Sequence, residues 1–261
     1  MSLDDGYVSP DYLKQVAERV RNCKALSYEH MAINPGDSVL DIGCGPGVDS
    51  VSLAALVGES GRVIGIDHDP AMLAEADTAA QAGGCAARIE HRQGSATDLP
   101  LENGAVASCR AERLLQVMAP ELEQSVVAEM VRVTRRKGRV VLIDTDWGSA
   151  SVDFSDPRLE RRLMGFFALQ MRPNGLAGRR LPALCREQGL GEIRIDVLPM
   201  VQLRLEETPF GQWLVDTAIS AGILTETEAT LWLDELPQRE SEQRFYASVN
   251  MVIASGCKGA A

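Results

Sequence analysis

Residues 41–47, Asp41-Ile42-Gly43-Cys44-Gly45-Pro46-Gly47, set three alternating glycines behind a short apolar run and ahead of a segment of helical period. Glycines there let a backbone bend tightly and approach a ligand with no Cβ in the way, while the following helix offers free amides and the positive end of its dipole. Asp67 closes the next apolar run, 24 residues after Gly43, where a carboxylate can accept both hydroxyls of a ribose or simply cap a strand end. The spacing is GxGxG, not the GxGxxG of dinucleotide sites, because position 48 is Val48; an acid, Asp41, also stands where those sites carry an apolar residue. Both departures weigh against a pyrophosphate ligand and an NAD-dependent oxidoreductase.

Such a turn needs a strand before it and a helix after it. The β-branched run 38–42 and the helical period of 48–57 supply them, and the alternation continues: strands at 62–67, 86–92, 105–109 and 139–144, helices at 71–81 and from Leu122 to a stop at Lys137-Gly138. Strands alternating with helices imply a parallel, doubly wound sheet covered on both faces, with ligands at the carboxyl ends of its strands. The last third reads as helices at 156–170 and 181–188, a strand at 193–203, two helices within 208–236 and a closing strand at 245–254; residues 10–31 read as one or two helices. The expected organisation is a helical cap over 1–34 and one domain over 35–261, in which 205–240 is a helical insertion forming part of a lid.

Composition narrows the classes. The 261 residues carry 37 acidic and 26 basic side chains, a formal net charge of −11, with no basic patch of the kind that displaces counterions from nucleic acid. No apolar run approaches the roughly 18 residues of a membrane span, and Asp4 and Asp5 stand where a secretion signal would be basic, so the expectation is a cytoplasmic protein acting on a small molecule, monomeric or homodimeric. The six cysteines form no CxxC pair and read as reduced, mostly buried thiols; the three histidines, His30, His68 and His91, show no ligand spacing, so no metal site is expected.

The segments 39–47 (VLDIGCGPG) and 63–67 (VIGID) resemble the first and second motifs of class I S-adenosylmethionine-dependent methyltransferases. Gly94-Ser95-Ala96-Thr97-Asp98-Leu99-Pro100 resembles the segment after their third strand, and residues 135–139 (RRKGR) the turn before their fifth. The likeness is greatest to the small-molecule branch with a type 11 methyltransferase domain, which includes the ubiquinone and menaquinone methylases; residues 112–116 (ERLLQ) and 144–147 (DTDW) look like further marks of it. The resemblance implies a Rossmann-like seven-stranded, mostly parallel sheet with helices on both faces and its last strand antiparallel. Helical lid elements would lie at the N-terminus and between the last two strands. It also implies S-adenosyl-L-methionine as cofactor, with S-adenosyl-L-homocysteine as product. Gly43, Gly45 and Gly47 would pass beneath the methionine part, Asp41 would lie near its ammonium or a water, and Asp67 would hold the ribose. His68 and Met72 would flank the adenine, and Ala96 would offer its amide. Ser95 replaces an acid, a role that nearby Asp98 could take over, and Arg110 would complete the set at the end of the fourth strand.

Methyl transfer from a sulfonium is an in-line displacement with an activated leaving group, so alignment and desolvation dominate. Many relatives carry a histidine where this chain has Val117, leaving Tyr7 and His30 as the candidate bases. That pattern suits an acceptor already nucleophilic: a ring nitrogen of a planar heterocycle, as for a toxoflavin-type N-methylase, or a phenolic or quinol oxygen or carbon. Acceptor contacts are expected from Tyr7, Tyr12, Asp144, Thr145, Trp147, Phe210 and Trp213, although either tryptophan could equally be core. A protein that binds S-adenosylmethionine without transferring its methyl is the rival reading.

Overall fold

The computed structural model describes residues 20–259. The first described helix, α1 (Arg21–Met31), precedes β1 (Ser38–Ile42), α2 (Val48–Val57), β2 (Arg62–Asp67), α3 (Pro70–Ala82), β3 (Ile89–Gln93) and β4 (Val106–Glu112). There follow α4 (Glu123–Val133), β5 (Thr134–Val152), α5 (Pro157–Gln170), α6 (Ala177–Glu187), β6 (Leu190–Gln202), α7 (Gln212–Ser220), α8 (Glu226–Ser241) and β7 (Ala247–Lys258).

The strands form one sheet in the order β3-β2-β1-β4-β5-β7-β6. Pairing from β3 to β5 is parallel, and β7 runs antiparallel to both β5 and β6. The winding reverses between β1 and β4, which opens a crevice at their carboxyl ends. Successive residues alternate between faces: Val39, Val63, Val141 and Ile143 meet α1 and α2, while Leu40, Ile64, Val140 and Leu142 meet α4 and α6. A third apolar cluster lies beyond the sheet, where Phe154, Phe167, Phe210, Leu214 and Trp232 of the α5, α7 and α8 region pack on Ala150, Val152 and Val249 from the ends of β5 and β7.

Local chemistry sets the helix starts. Asp69 accepts from Ala71 N with Pro70 in the first turn of α3, Asp156 accepts from Arg158 N and Leu159 N before Pro157 of α5, and Thr225 with Glu228 forms a capping box on α8. Three sequence expectations shift. Residues 86–88 form a 3₁₀ turn, so β3 begins only at Ile89. The fourth strand runs to Glu112, because its last residues are held in the sheet by β5. Gly138 does not stop a helix: α4 ends at Val133, where Thr134 turns extended, and a Cβ on Gly138 would run into the Ala107 carbonyl and Thr134. It is a close-approach residue beside Lys137, whose φ is +61°.

Candidate active site

The glycine turn is built on left-handed backbone. Gly43, Gly45 and Gly47 have φ of 68°, 52° and 76°, a region costly for any residue with a Cβ. Gly47 is also the N-cap of α2, and a Cβ there would lie 2.8 Å from the Cβ of Ala76 on α3. A side chain at this position would therefore push apart the two helices that flank the crevice. Asp67, at the end of β2, ties the turn down: it accepts from Gly45 N at 2.9 Å and from Asp69 N at 3.0 Å. Each carboxylate oxygen keeps a second lone pair, so Asp67 can hold the turn and still accept from a pair of ribose hydroxyls.

The neighbours expected for an adenine are close by. His68 is exposed, with Nδ1 3.3 Å from Asp67, and Met72 is buried on α3. Ser95 is drawn into its own loop, where its Oγ lies 2.8 Å from Thr97 Oγ1 and its carbonyl accepts from Asp98 N. Ala96 is half-buried between them and Asp98 is exposed.

Beneath the turn lies a buried charge cluster that sequence reasoning did not assemble. Asp41 on β1, Asp49 on α2 and Glu112 on β4 surround Arg110, whose side chain is 0% exposed. Arg110 lies 3.4 Å from Asp41 and 2.9 Å from Asp49, bonds Glu112, and faces the Tyr28 ring at 5.3 Å. From α1, Lys24 bonds Asp49 at 2.5 Å and Glu112 at 2.9 Å, and the Tyr28 hydroxyl donates to Asp49. Burial alone would raise the Asp49 carboxyl, but Arg110 and Lys24 overturn that and hold it well below the usual range. Burial pushes Asp41 up to about 7, with Arg110 offsetting it only in part, and its Oδ2 has no hydrogen-bond partner. A buried, half-satisfied carboxylate next to a glycine turn suits a cationic group such as the cofactor's ammonium. Lys24 and Tyr28, four apart on one face of α1, were the only sequence signal for this cluster.

Several expected contacts take other roles. Arg110 is enclosed by the acids and by Tyr28, with no exposed side-chain surface. Asp144 accepts from Leu115 N at 2.9 Å, Gln116 N at 3.2 Å and Thr145 N at 3.0 Å and so orders the turn after β4. Burial pushes its carboxyl up to about 7 against those three donors. Thr145 is buried and donates to Met251 Sδ on β7. Phe210 is buried in the lid cluster, its carbonyl accepting from Trp232 Nε1. His30 lies at the opposite end of the sheet, bonded to Ser255 Oγ at 2.9 Å and Asp196 at 2.8 Å, where it lines a hollow with Asp37, Ala107 and Gly138. Burial lowers its pKa, and it is too far down the sheet to act as a base at the crevice. Tyr7 and Tyr12 lie outside the described residues.

Trp147 and Trp213 stand at the seam between the sheet and the layer of α5, α7 and α8. Trp147 donates from Nε1 to Gln116 Oε1 at 2.8 Å, its ring meets Phe167 edge-on at 5.1 Å, and the Arg172 guanidinium lies over both rings at 4.6 and 4.7 Å. Trp213 meets Phe167 at 6.4 Å and is 37% exposed. Gln116, Phe167, Arg172 and Asn174, which bonds the Leu115 carbonyl and Glu123, were not singled out from sequence because only the fold brings their segments together.

A sheet of this order, with a glycine turn and an acid on adjacent strand ends, is a Rossmann-like α/β fold. Residues 39–138 match the methyltransferase domain family. The chain is 32% identical over 249 residues to an uncharacterized 37.1 kDa protein in transposon TN4556 of Streptomyces fradiae, covering 93% of this chain and 69% of that one. It is 36% identical over 110 residues to the demethylmenaquinone methyltransferase of Desulfitobacterium hafniense, 42% of this chain and 43% of the relative, so it spans less than half of that enzyme. The YcgJ protein of Bacillus subtilis shares the fold, with a TM-score of 0.60 at 17% identity over 92% of this chain and all of that one. Over residues 39–138 the chain carries a methyltransferase domain, and its similarity is to S-adenosylmethionine-dependent methyltransferases of class I.

Proposed function

We propose that this chain transfers a methyl group from S-adenosylmethionine to a small planar acceptor that is already nucleophilic, with a ring nitrogen of a heterocycle as the target atom. The observation that carries this reading is the make-up of the acceptor end. Among the described residues, the half-buried Trp147 of β5 and the part-exposed Trp213 of α7 stand against the buried Phe167 of α5, Trp147 bonding Gln116 just beyond β4, with no uncommitted base beside them: Asp144 is engaged by three backbone amides and His30 lies at the far end of the sheet. Aromatic walls fit a flat ring, and an acceptor that needs no deprotonation needs only alignment and exclusion of water.

The bound cofactor supplies the methyl sulfonium. Gly43, Gly45 and Gly47 let the backbone pass beneath its methionine part, Asp41 meets the ammonium, Asp67 takes the ribose, and Met72 with His68 flanks the adenine. Gln116 and Trp147 close the seam from the acceptor side. The demethylmenaquinone methyltransferase relative, by its name, acts on a quinone precursor, so a phenolic or quinol acceptor is the second reading. The test presents labelled S-adenosylmethionine with matched acceptors, a bicyclic nitrogen heterocycle against a naphthol of the same size. Label in the heterocycle, at a rate that is flat from pH 6 to 8.5 when S-adenosylmethionine is saturating at each pH, supports the first reading. Label in the naphthol, rising with pH, replaces it with the second, and tight cofactor binding with no label in either or in a host metabolite extract favours a non-transferring protein. The reading also takes the protein as a monomer or homodimer with no nucleic-acid partner, which light scattering and a binding assay would check.

A further inference from the structure

Three buried carboxylates, Asp41, Asp49 and Glu112, share two enclosed cations, Lys24 and Arg110. A third cation, Arg113, stands at the rim 3.6 Å from Glu112. Asp49 and Glu112 each take a close contact from both Lys24 and Arg110. Asp41 receives only Arg110, at 3.4 Å and on one oxygen, and the other oxygen has no partner. The remaining titratable groups around it are Tyr28 on α1, Cys44 in the glycine turn and Asp67 across the turn on β2; His68 lies further out. A carboxylate in such a place is neutral unless a cation arrives to meet it.

We propose that Asp41 carries a proton in the free protein and yields it when the ammonium of the cofactor binds, so that cofactor binding is a proton-exchange reaction. The inference rests on the S-adenosylmethionine reading of the site. The O–H bond of the acid breaks, its electron pair stays on the Asp41 oxygen, that oxygen accepts from the ammonium, and the proton leaves to solvent. An amine that bound uncharged to a retained acid would release the same single proton, so the stoichiometry is independent of which atom keeps it. Below pH 7 each binding event must expel a proton, so affinity falls as pH falls; above it the acid is already ionised and affinity levels off.

The test is calorimetric titration of the full chain with S-adenosylhomocysteine in phosphate and in Tris, buffers of low and high ionisation enthalpy, at pH 6 and pH 8.5. The expected result is about one proton released per molecule bound at pH 6 and near none at pH 8.5, with affinity weakening about tenfold per pH unit below neutrality. 5′-Methylthioadenosine, which keeps the nucleoside and thioether but lacks the amino acid, should bind with no release at either pH. Asp41→Asn should remove the exchange, and His68→Gln should leave it in place. Equal enthalpies in the two buffers at pH 6, equal release by 5′-methylthioadenosine, or loss of the exchange in His68→Gln would overturn the proposal. Complete failure of S-adenosylhomocysteine to bind would overturn the cofactor reading itself, a result distinct from binding without proton release.

Discussion

Around the glycine turn, order comes from backbone conformation and enclosed charge: left-handed glycines, an acid that clamps the turn, and a cation ringed by three carboxylates. In the layer of α5, α7 and α8 it comes from rings, with Phe167 central to Trp147, Phe210 and Trp213, and Phe154 tilted on Trp232 at 4.6 Å. The first kind of order is directional and fails as a unit when one member is removed. The second is a sum of many weak contacts and tolerates reshaping of similar volume. A region that must recognise one invariant cofactor suits the first, and a region that selects among acceptors suits the second.

Breaking the charged half should have the largest effect. Arg110→Gln leaves three buried acids with one enclosed cation, and should cost about 3–5 kcal/mol of stability in urea unfolding as well as cofactor binding. Phe167→Ala should cost about 3–5 kcal/mol in the same assay, yet leave S-adenosylhomocysteine affinity within about twofold, on the order of 0.4 kcal/mol; a larger loss would show that the two regions are not separable. The pH dependence sharpens the contrast. Asp41 and Asp144 are both raised to about 7, against about 3.9 in an unfolded chain. Their protonated forms favour the fold fully below pH 4, and that contribution is lost as pH rises through 7, on the order of 2–4 kcal/mol for each group. His30, lowered by burial, works in the opposite sense and favours the fold above its unfolded value. Net unfolding free energy should therefore fall from pH 5 to pH 8, and the fall should shrink in Asp41→Asn.

Smaller effects follow. Asp67→Ala should weaken cofactor binding at least tenfold, about 1.4 kcal/mol, and unchanged affinity by calorimetry would remove the ribose assignment. Trp213→Ala, at a half-open position, should change stability by less than about 1 kcal/mol while raising the acceptor KM and sparing cofactor affinity.

The charged half was also the more legible in sequence, for a physical reason. Alternating glycines and an acid at a strand end report backbone geometry, which is local, so the tight turn of Gly43, Gly45 and Gly47 and the strand-end position of Asp67 were legible along with the strands they join. A pairing of Arg110 with Glu112 or another acid was within reach of the sequence, but its full enclosure was not, because that depends on Asp49 and Lys24, which arrive from elements far away in the chain. Asp144 looked like an acceptor contact, but the amides it serves belong to a turn 28 and 29 residues earlier. Phe210 and His30 carried no local sign of which end of the sheet they would reach. The start of β5 was missed because Gly138 reads as a helix stop in one dimension and as a close crossing of strands in three.

Strand β5 runs for 19 residues, from Thr134 to Val152, and pairs with β7 from Arg139 to Asp146 and again at Ser151 and Val152, broken only between Asp146 and Ser151. In hydrogen-exchange terms the paired amides up to Asp146 should open only with the whole molecule, while those from Gly148 to Ala150, beyond the Trp147 amide that bonds the Gly175 carbonyl, should exchange sooner, through local opening. The Trp147 side chain thus sits on the stretch of β5 where pairing with β7 is interrupted, so local opening there would move its ring without unfolding the rest of the strand.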